Sequence, residues 1–260
     1  MKSKVYIMMA GVMLILLNSC IEGIMFLKGN GIEETEIRRT GSFLNVENTT
    51  SVDVIYKKAD TTGVVITGDE NLIEYIVTET YDNTLEIKFR NDGIHLNFKE
   101  HPLITITSPR LEKAIISGSG AFFADGMTGN TVTLKMSGSG DISVENVTSD
   151  NLITIISGSG NVSIPDCQNI SSDLFISGSG KINISGNSTS CNIKITGSGE
   201  VYTENFFLKT ASVIISGSGN SYINTELELN AILSGSGNIY LKGNPVINKT
   251  ISGSGRIIKY

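Results

Sequence analysis

The chain has 260 residues, 18% of them charged, no Trp, four Pro and a formal net charge of −6. That length suffices for one elongated domain with a continuous core. The acidic balance, with no basic stripe and no RNA-type aromatic motif, argues against nucleic acid, whose binding rests on neutralising phosphates.

Residues 1–19 read as a lipoprotein signal peptide. Lys2 and Lys4 give a short positive start, and Val5 to Leu17 is an apolar run of 13 residues. That is too short for a spanning helix and suits a signal-peptide core. Leu17-Asn18-Ser19-Cys20 resembles a bacterial lipobox. The resemblance implies that Cys20 is diacylated and becomes the new N-terminus, holding the protein to a membrane by a lipid anchor. An uncleaved anchor and ordinary cleavage are the alternatives, the first because Ile24 to Leu27 extends the apolar stretch. Ile21 follows the Cys, with no Asp of the kind associated with inner-membrane retention, so the expected address is the outer membrane, on either its periplasmic or its surface side.

Residues 20–40 read as a tether, and residues 41–260 as a single domain. In 41–115 the pattern is irregular but strand-like. Val46, Val52 and Val54 give the first coil-like spacing. Val64 to Thr67, Leu85 to Phe89 and Leu103 to Thr107 are further strands. Tyr81-Asp82-Asn83-Thr84 is a turn. Asp69 to Tyr75 reads as a short helix with Asp69 as N-cap.

From residue 111 to 260 one phrase organises everything. Ser-Gly-Ser-Gly begins at Ser117, Ser137, Ser157, Ser177, Thr196 (as Thr-Gly-Ser-Gly), Ser216, Ser234 and Ser252. The intervals are 20, 20, 20, 19, 20, 18 and 18 residues. A period near 20 marks a solenoid in which each repeat is one coil. Counting from the first Ser or Thr, positions −5, −3, −1, +5 and +7 are apolar in 33 of 40 cases; positions −4, −2, 0, +4 and +6 are apolar in 12 of 40. Strict alternation is the strand period, with the odd side facing a core. The glycines at +1 and +3 share that inward parity and allow a tight corner, with φ > 0 where needed. The fold class is therefore all-β: a single-stranded right-handed parallel β-helix of eight regular coils with an irregular N-terminal β cap. A left-handed hexapeptide helix could share an 18-residue coil, but the interval varies and no six-residue sub-period appears.

Phe43-Leu44-Asn45-Val46, Asp69-Glu70-Asn71-Leu72, Thr84-Leu85-Glu86-Ile87 and Ser108-Pro109-Arg110-Leu111 lead in order into Ile116-Ser117-Gly118-Ser119-Gly120. That series, over roughly residues 40–255, resembles the putative auto-transporter adhesin head GIN domain family of bacterial envelope lipoproteins. The resemblance implies a right-handed β-helix and an adhesin-like role, and it carries no catalytic residues.

Enzymatic chemistry finds no constellation. His95 and His101 would lie roughly 20 Å apart along a strand, too far to chelate one ion. The serines have no His or acid in register for a nucleophile–base pair. The outward +4 column, Ala121, Asp141, Asn161, Lys181, Glu200, Asn220, Asn238 and Arg256, mixes charges without a cluster. Neither cofactor nor metal is expected. Cys167 and Cys191 are offset on their coils and read as small buried hydrophobes, although an oxidising envelope would permit a disulfide.

The outward faces are more informative. Position +6 carries Tyr202, Tyr222 and Tyr240 on three successive coils, beside Ser198, Ser218 and Ser236; position −2 carries Ile115, Ile155, Phe175, Ile214 and Ile232. Like residues stacked on adjacent strands would stabilise the coils. Equally, aromatic groups beside hydroxyls suit a glycan or protein partner. Three functions follow: a non-enzymatic envelope lipoprotein presenting this Ser/Tyr face, a structural self-assembling rod, and a polysaccharide-active enzyme. The first is preferred. The final coil lacks a successor, so a weak homo-oligomer through the C-terminal edge is expected, with Arg256 and Lys259 as edge charges. Replacing Cys20→Ala is expected to release the protein from the membrane fraction or leave it unprocessed. Fractionation with intact mass measurement reads this, and unchanged mass with unchanged membrane association would remove the lipid anchor.

Overall fold

The computed structural model describes residues 25–90 and 94–260. Cys20 and the signal peptide lie outside the described residues. The repeats form a parallel β-solenoid. Strands preceding the corner stack coil upon coil in unbroken register, with Ile115 over Lys135, Ile155, Phe175 and Lys194 in turn. Strands following the corner stack likewise, from Phe122 over Ile142 to Val162, Ile182 and Val201.

The inward parity holds through the first seven coils, whereas in the eighth Ile251 is 37% exposed. Ile116, Met136, Ile156, Ile176, Ile195, Ile215 and Leu233 are each no more than 2% exposed. Burying such a side chain contributes roughly 1.5–3 kcal/mol. Parity outranks chemistry: Thr154, Ser172, Thr203 and Ser221 occupy inward positions and are fully buried. Thr203 Oγ1 donates to Tyr222 O at 2.9 Å and Ser172 Oγ accepts from Asn169 Nδ2 at 2.7 Å. The Thr154 and Ser221 hydroxyls have no partner among the described residues. Cys167 and Cys191 are buried and unbonded. Burial pushes the Cys167 thiol up to about 12 and raises that of Cys191 as well.

The corner glycines do something other than supply left-handed turns. Among the corner glycines only Gly197 has a left-handed φ, at +133°. What they share is closeness to the coil beneath. A Cβ on Gly138 would lie 1.8 Å from Gly118 O, and one on Gly253 2.0 Å from Gly235 O. Beyond the corner, outward +4 side chains bond to the next coil. Asp53 Oδ1 accepts from Ala121 N at 2.7 Å, Asn220 Oδ1 from Asn238 N at 3.0 Å, and Asn238 Oδ1 from Arg256 N at 3.0 Å. The scattered polar column is thus a set of side-chain rungs, as Asp and Asn acceptors allow.

The N-terminal region departs from chain order. Its strands are β1 (Met25–Lys28), β2 (Glu33–Arg38), β3 (Asn45–Asn48), β4 (Asp53–Lys58), β5 (Gly63–Asp69), β6 (Ile76–Tyr81), β7 (Thr84–Phe89), β8 (Ile94–Asn97) and β9 (Leu103–Ser108). The coil β3–β4 stacks directly on the first Ser-Gly-Ser-Gly coil, while β7 and β9 stack on its other side. The residues between β4 and β9 therefore leave the solenoid and return beyond the coil they came from. Register corrects one detail: the spacing of Val46, Val52 and Val54 suggests positions −1, +5 and +7, but Val46 lies over Ala114 at −3 and Val54 over Phe122 at +5, with inward parity kept. The turn at Asp82 and Asn83 has φ of 47° and 58°, as a two-residue hairpin requires.

The tether expected over 20–40 is corrected for its described part. Antiparallel pairing puts β2 on β5 and β5 on β9, and β1 pairs with β8. Arg38 fastens β2 further, through Ile76 O and through Ile73 O at 2.9 Å. Asp69 is not a helix cap. The only helical turn there, Ile73–Tyr75, starts after Leu72 without a side-chain cap. Asp69 is fully buried and accepts from Gly31 N at 2.7 Å, Lys99 N at 2.8 Å and Glu100 N at 3.1 Å. Burial raises its pKa, but these backbone donors outweigh it, and the carboxyl ends below its ordinary value.

At the other end, among the described residues, Val246–Ile251 pairs only with the equivalent strand of the preceding coil, as does Ile257–Lys259. Ile247 and Ile257, inward by parity, are only half-buried there. Lys259 Nζ donates to Asn244 Oδ1 at 2.8 Å.

Gly138→Ala is expected to destabilise the protein by at least about 2 kcal/mol through overpacking against the neighbouring backbone. Ser139→Ala, one residue on and exposed, should change little. Equal denaturation midpoints for the two variants would contradict the close-approach role.

Candidate recognition surface

The Ser/Tyr face has two separate parts. Ser198, Ser218 and Ser236 are exposed at the corner. Four residues further along each coil, Tyr202, Tyr222 and Tyr240 form a ladder because each +6 position lies over the next. Their rings stack nearly parallel, with centroids 4.7 and 4.6 Å apart and planes 9° and 6° apart. The facing ring surfaces therefore serve one another, and all three Tyr are half-buried.

One end of the ladder is electrostatically pinned. Tyr202 Oη donates to Glu200 Oε2 at 2.9 Å, and Lys181 Nζ meets the same oxygen at 2.8 Å. The Lys181 and Tyr202 hydrogen bonds hold the Glu200 carboxyl below its ordinary value, against a smaller opposing effect of burial. Burial raises the Tyr202 and Tyr222 hydroxyls.

The histidines stay apart in different settings. His95 packs its ring 5.4 Å from Phe26, and His101 Nε2 lies 3.3 Å from Asp53 Oδ2. Among the described residues no group of three His, Cys, Asp or Glu side chains is placed to hold a metal ion.

A concave site lies on another face and was not expected from the repeat phrase. Coils of unequal length cannot stack flush, and the surplus is absorbed well away from the Ser-Gly corner. Between Thr203 over Ile223 and Phe207 over Asn224, the longer coil holds Glu204, Asn205 and Phe206 without counterparts. Similar slips occur between Ile164 and Cys167 and between Asn183 and Gly186. These steps leave a groove of about 610 Å³, lined by Gln168, Asn187, Phe207, Asn224 and Asn244 among others. Its only signal in the sequence is the departure of the intervals from 20, to 19 once and to 18 in the last two.

The family described as putative auto-transporter adhesin, head GIN domain, matches residues 42–165 and 145–245. The chain belongs to that family. A putative lipid binding protein from Parabacteroides distasonis ATCC 8503 is 30% identical, with a TM-score of 0.85 over 90% of this chain and 99% of that one. A putative adhesin from the same organism is 25% identical, with a TM-score of 0.86 over 90% of this chain and 100% of that one. A putative adhesin from Parabacteroides merdae ATCC 43184 shares the fold at 24% identity, with a TM-score of 0.86 over 91% and 99%. No curated protein matches the chain.

Because the Glu200 pKa is lowered on folding, its contribution is present above the ordinary value of 4.5 and is lost as pH falls through the folded value. The stability gap between wild type and Glu200→Gln should therefore be open at neutral pH and close in acid. Denaturant melts across that range measure it, and a gap independent of pH would contradict the pinned carboxylate.

Proposed function

We propose that this chain is a non-enzymatic, adhesin-like binding protein of the bacterial envelope. In this reading Cys20 carries the lipid anchor at the outer membrane, and the solenoid presents its outward faces to an envelope glycan or protein. The observation that carries the reading is the outward lattice. Tyr202, Tyr222 and Tyr240 repeat at 4.6–4.7 Å, in a fold whose relatives are named adhesins and a lipid binding protein. Such a surface, aromatic and hydroxyl-bearing, offers the amphipathic groups that recognition sites favour. Enzyme chemistry would need converging acids or a nucleophile with its base, and the outward columns instead spend their carboxylates and amides on rungs and ion pairs.

A second element of the reading is the C-terminal edge. Among the described residues its two outer strands pair with the preceding coil alone, an arrangement that would favour weak association of a second copy.

Because the ring faces are engaged with one another, the informative change is Tyr→Phe, which keeps the stack and removes the hydroxyls. The triple variant Tyr202→Phe, Tyr222→Phe, Tyr240→Phe should keep its melting temperature within a few degrees. Its binding to isolated envelope fractions in a plate assay should weaken severalfold. Full binding by this variant would move recognition away from the ladder.

A further inference from the structure

We infer that the groove opposite the Ser-Gly corner is a second recognition site, one that takes a neutral oligosaccharide chain. The inference rests on the binding-protein reading above but not on the tyrosine ladder.

Its geometry comes from register. Gln168 lies over Asn187, Asn187 over Phe207, and Phe207 over Asn224. An aromatic ring 60% exposed thus stands between two carboxamides, one coil above and one below. Coils are spaced at roughly 4.8 Å, so the column runs along the rod as an extended strip. The slip that leaves Glu204, Asn205 and Phe206 without counterparts on the following coil is what sets Phe207 over Asn224.

The carboxamides are fixed on one side and open on the other. Asn187 Nδ2 donates to Gln168 Oε1 at 3.2 Å, and Asn224 Nδ2 donates to Glu204 O at 3.3 Å. Neither Oδ1 has a protein partner among the described residues, so each remains an acceptor. Asn244 is the complement, since its Oδ1 accepts from Lys259 and its Nδ2 remains a donor.

This pattern selects among ligands. A pyranose ring has one face of C–H groups and a rim of hydroxyls that both donate and accept. The C–H face lies on an exposed aromatic ring, and the rim pairs with amide oxygens and nitrogens. An acyl chain would leave those carboxamides desolvated and unpaired, which costs rather than gains. Lys209 and Glu226 line the same groove with opposite charges, so no net charge favours an acidic or a basic chain. The volume of about 610 Å³ falls within the range of ligand sites, roughly 300–1,000 Å³. Hexose and N-acetylhexosamine oligomers fit this chemistry.

The chain contains no Trp, so Phe207→Trp installs a single indole reporter. The purified full-length Phe207→Trp protein would be titrated with neutral hexose and N-acetylhexosamine oligosaccharides, and with extended peptides as a comparison. The expected result is a saturable change in indole emission with an oligosaccharide and none with the peptides. On a glycan array, Phe207→Ala and Asn224→Ala should each bind roughly tenfold more weakly than wild type. Phe207→Ala should retain the wild-type melt, and Asn224→Ala, which loses the bond to Glu204 O, should melt within a few degrees of it. Phe123→Ala, which removes an exposed ring elsewhere, should bind as wild type does. The triple Tyr→Phe variant should also keep oligosaccharide binding, which separates this groove from the ladder. Emission responding only to peptides would overturn the glycan class. So would the absence of any oligosaccharide binding by wild type, or binding unchanged in Phe207→Ala. Oligosaccharide binding lost in the triple Tyr→Phe variant but kept in Phe207→Ala would overturn the groove while leaving the binding-protein reading intact.

Discussion

Everything in this molecule depends on how closely one coil can approach the next at the Ser-Gly-Ser-Gly corner. At Gly138 the space a Cβ would fill is already occupied by a backbone carbonyl, only 1.8 Å away. The corner is therefore a column of bare backbone, and each coil is held to its neighbour by N–H to C=O pairing such as Ser177 N to Ile156 O at 2.7 Å. Once that approach is fixed, the flanking strands can alternate only one way. Inward positions enter a common core, and outward positions form columns spaced by the coil repeat. The tyrosine ladder and the side-chain rungs are consequences of this single packing constraint.

The same constraint explains where irregularity accumulates. The corner and its flanking strands cannot absorb extra residues without losing register, so differences in coil length are displaced to the opposite part of the coil. There the strands slip, as between Thr203 and Phe207, and the bulged backbone stands away from its neighbour. A rigid seam on one side and an adaptable seam on the other divide the surface into two kinds of site. The rigid seam yields flat, repetitive columns. The adaptable seam yields a concavity with non-repeating side chains, which is the usual setting for selective binding.

The N-terminal region solves a separate problem, the open end of a parallel stack. Its chain leaves the solenoid after β4, builds antiparallel pairs through β5, β6 and β2, and locks them through the buried Asp69 carboxylate and Arg38. Antiparallel strands with charged, exposed outer residues such as Glu33, Glu34 and Glu36 blunt an edge. The two ends are thus unlike. One carries added strands, and the other leaves Ile247 and Ile257 half-covered.

The sequence by itself determined the coil, its inward parity, the position of the corner and the membership of the tyrosine column, because all four are properties of local spacing. Parity needs only a period of two, and a column needs only a constant offset from a repeated phrase. The hairpin at Asp82-Asn83 was legible for the same reason. Only the tertiary structure decided that β3–β4 lies between later strands, that Asp69 is a clasp rather than a helix cap, that residues 33–38 join the main sheet and that residues 25–28 pair with β8. It also decided that the tyrosine rings use their faces on one another and that a groove opens where coil lengths change. Each of these depends on which segments distant in the chain meet in space. An insertion can leave a solenoid on one side of a coil and re-enter on the other with no change in local pattern. A two-residue difference in coil length likewise does not say which side of the coil will yield; that follows from the corner, where the bare backbone leaves no room to give.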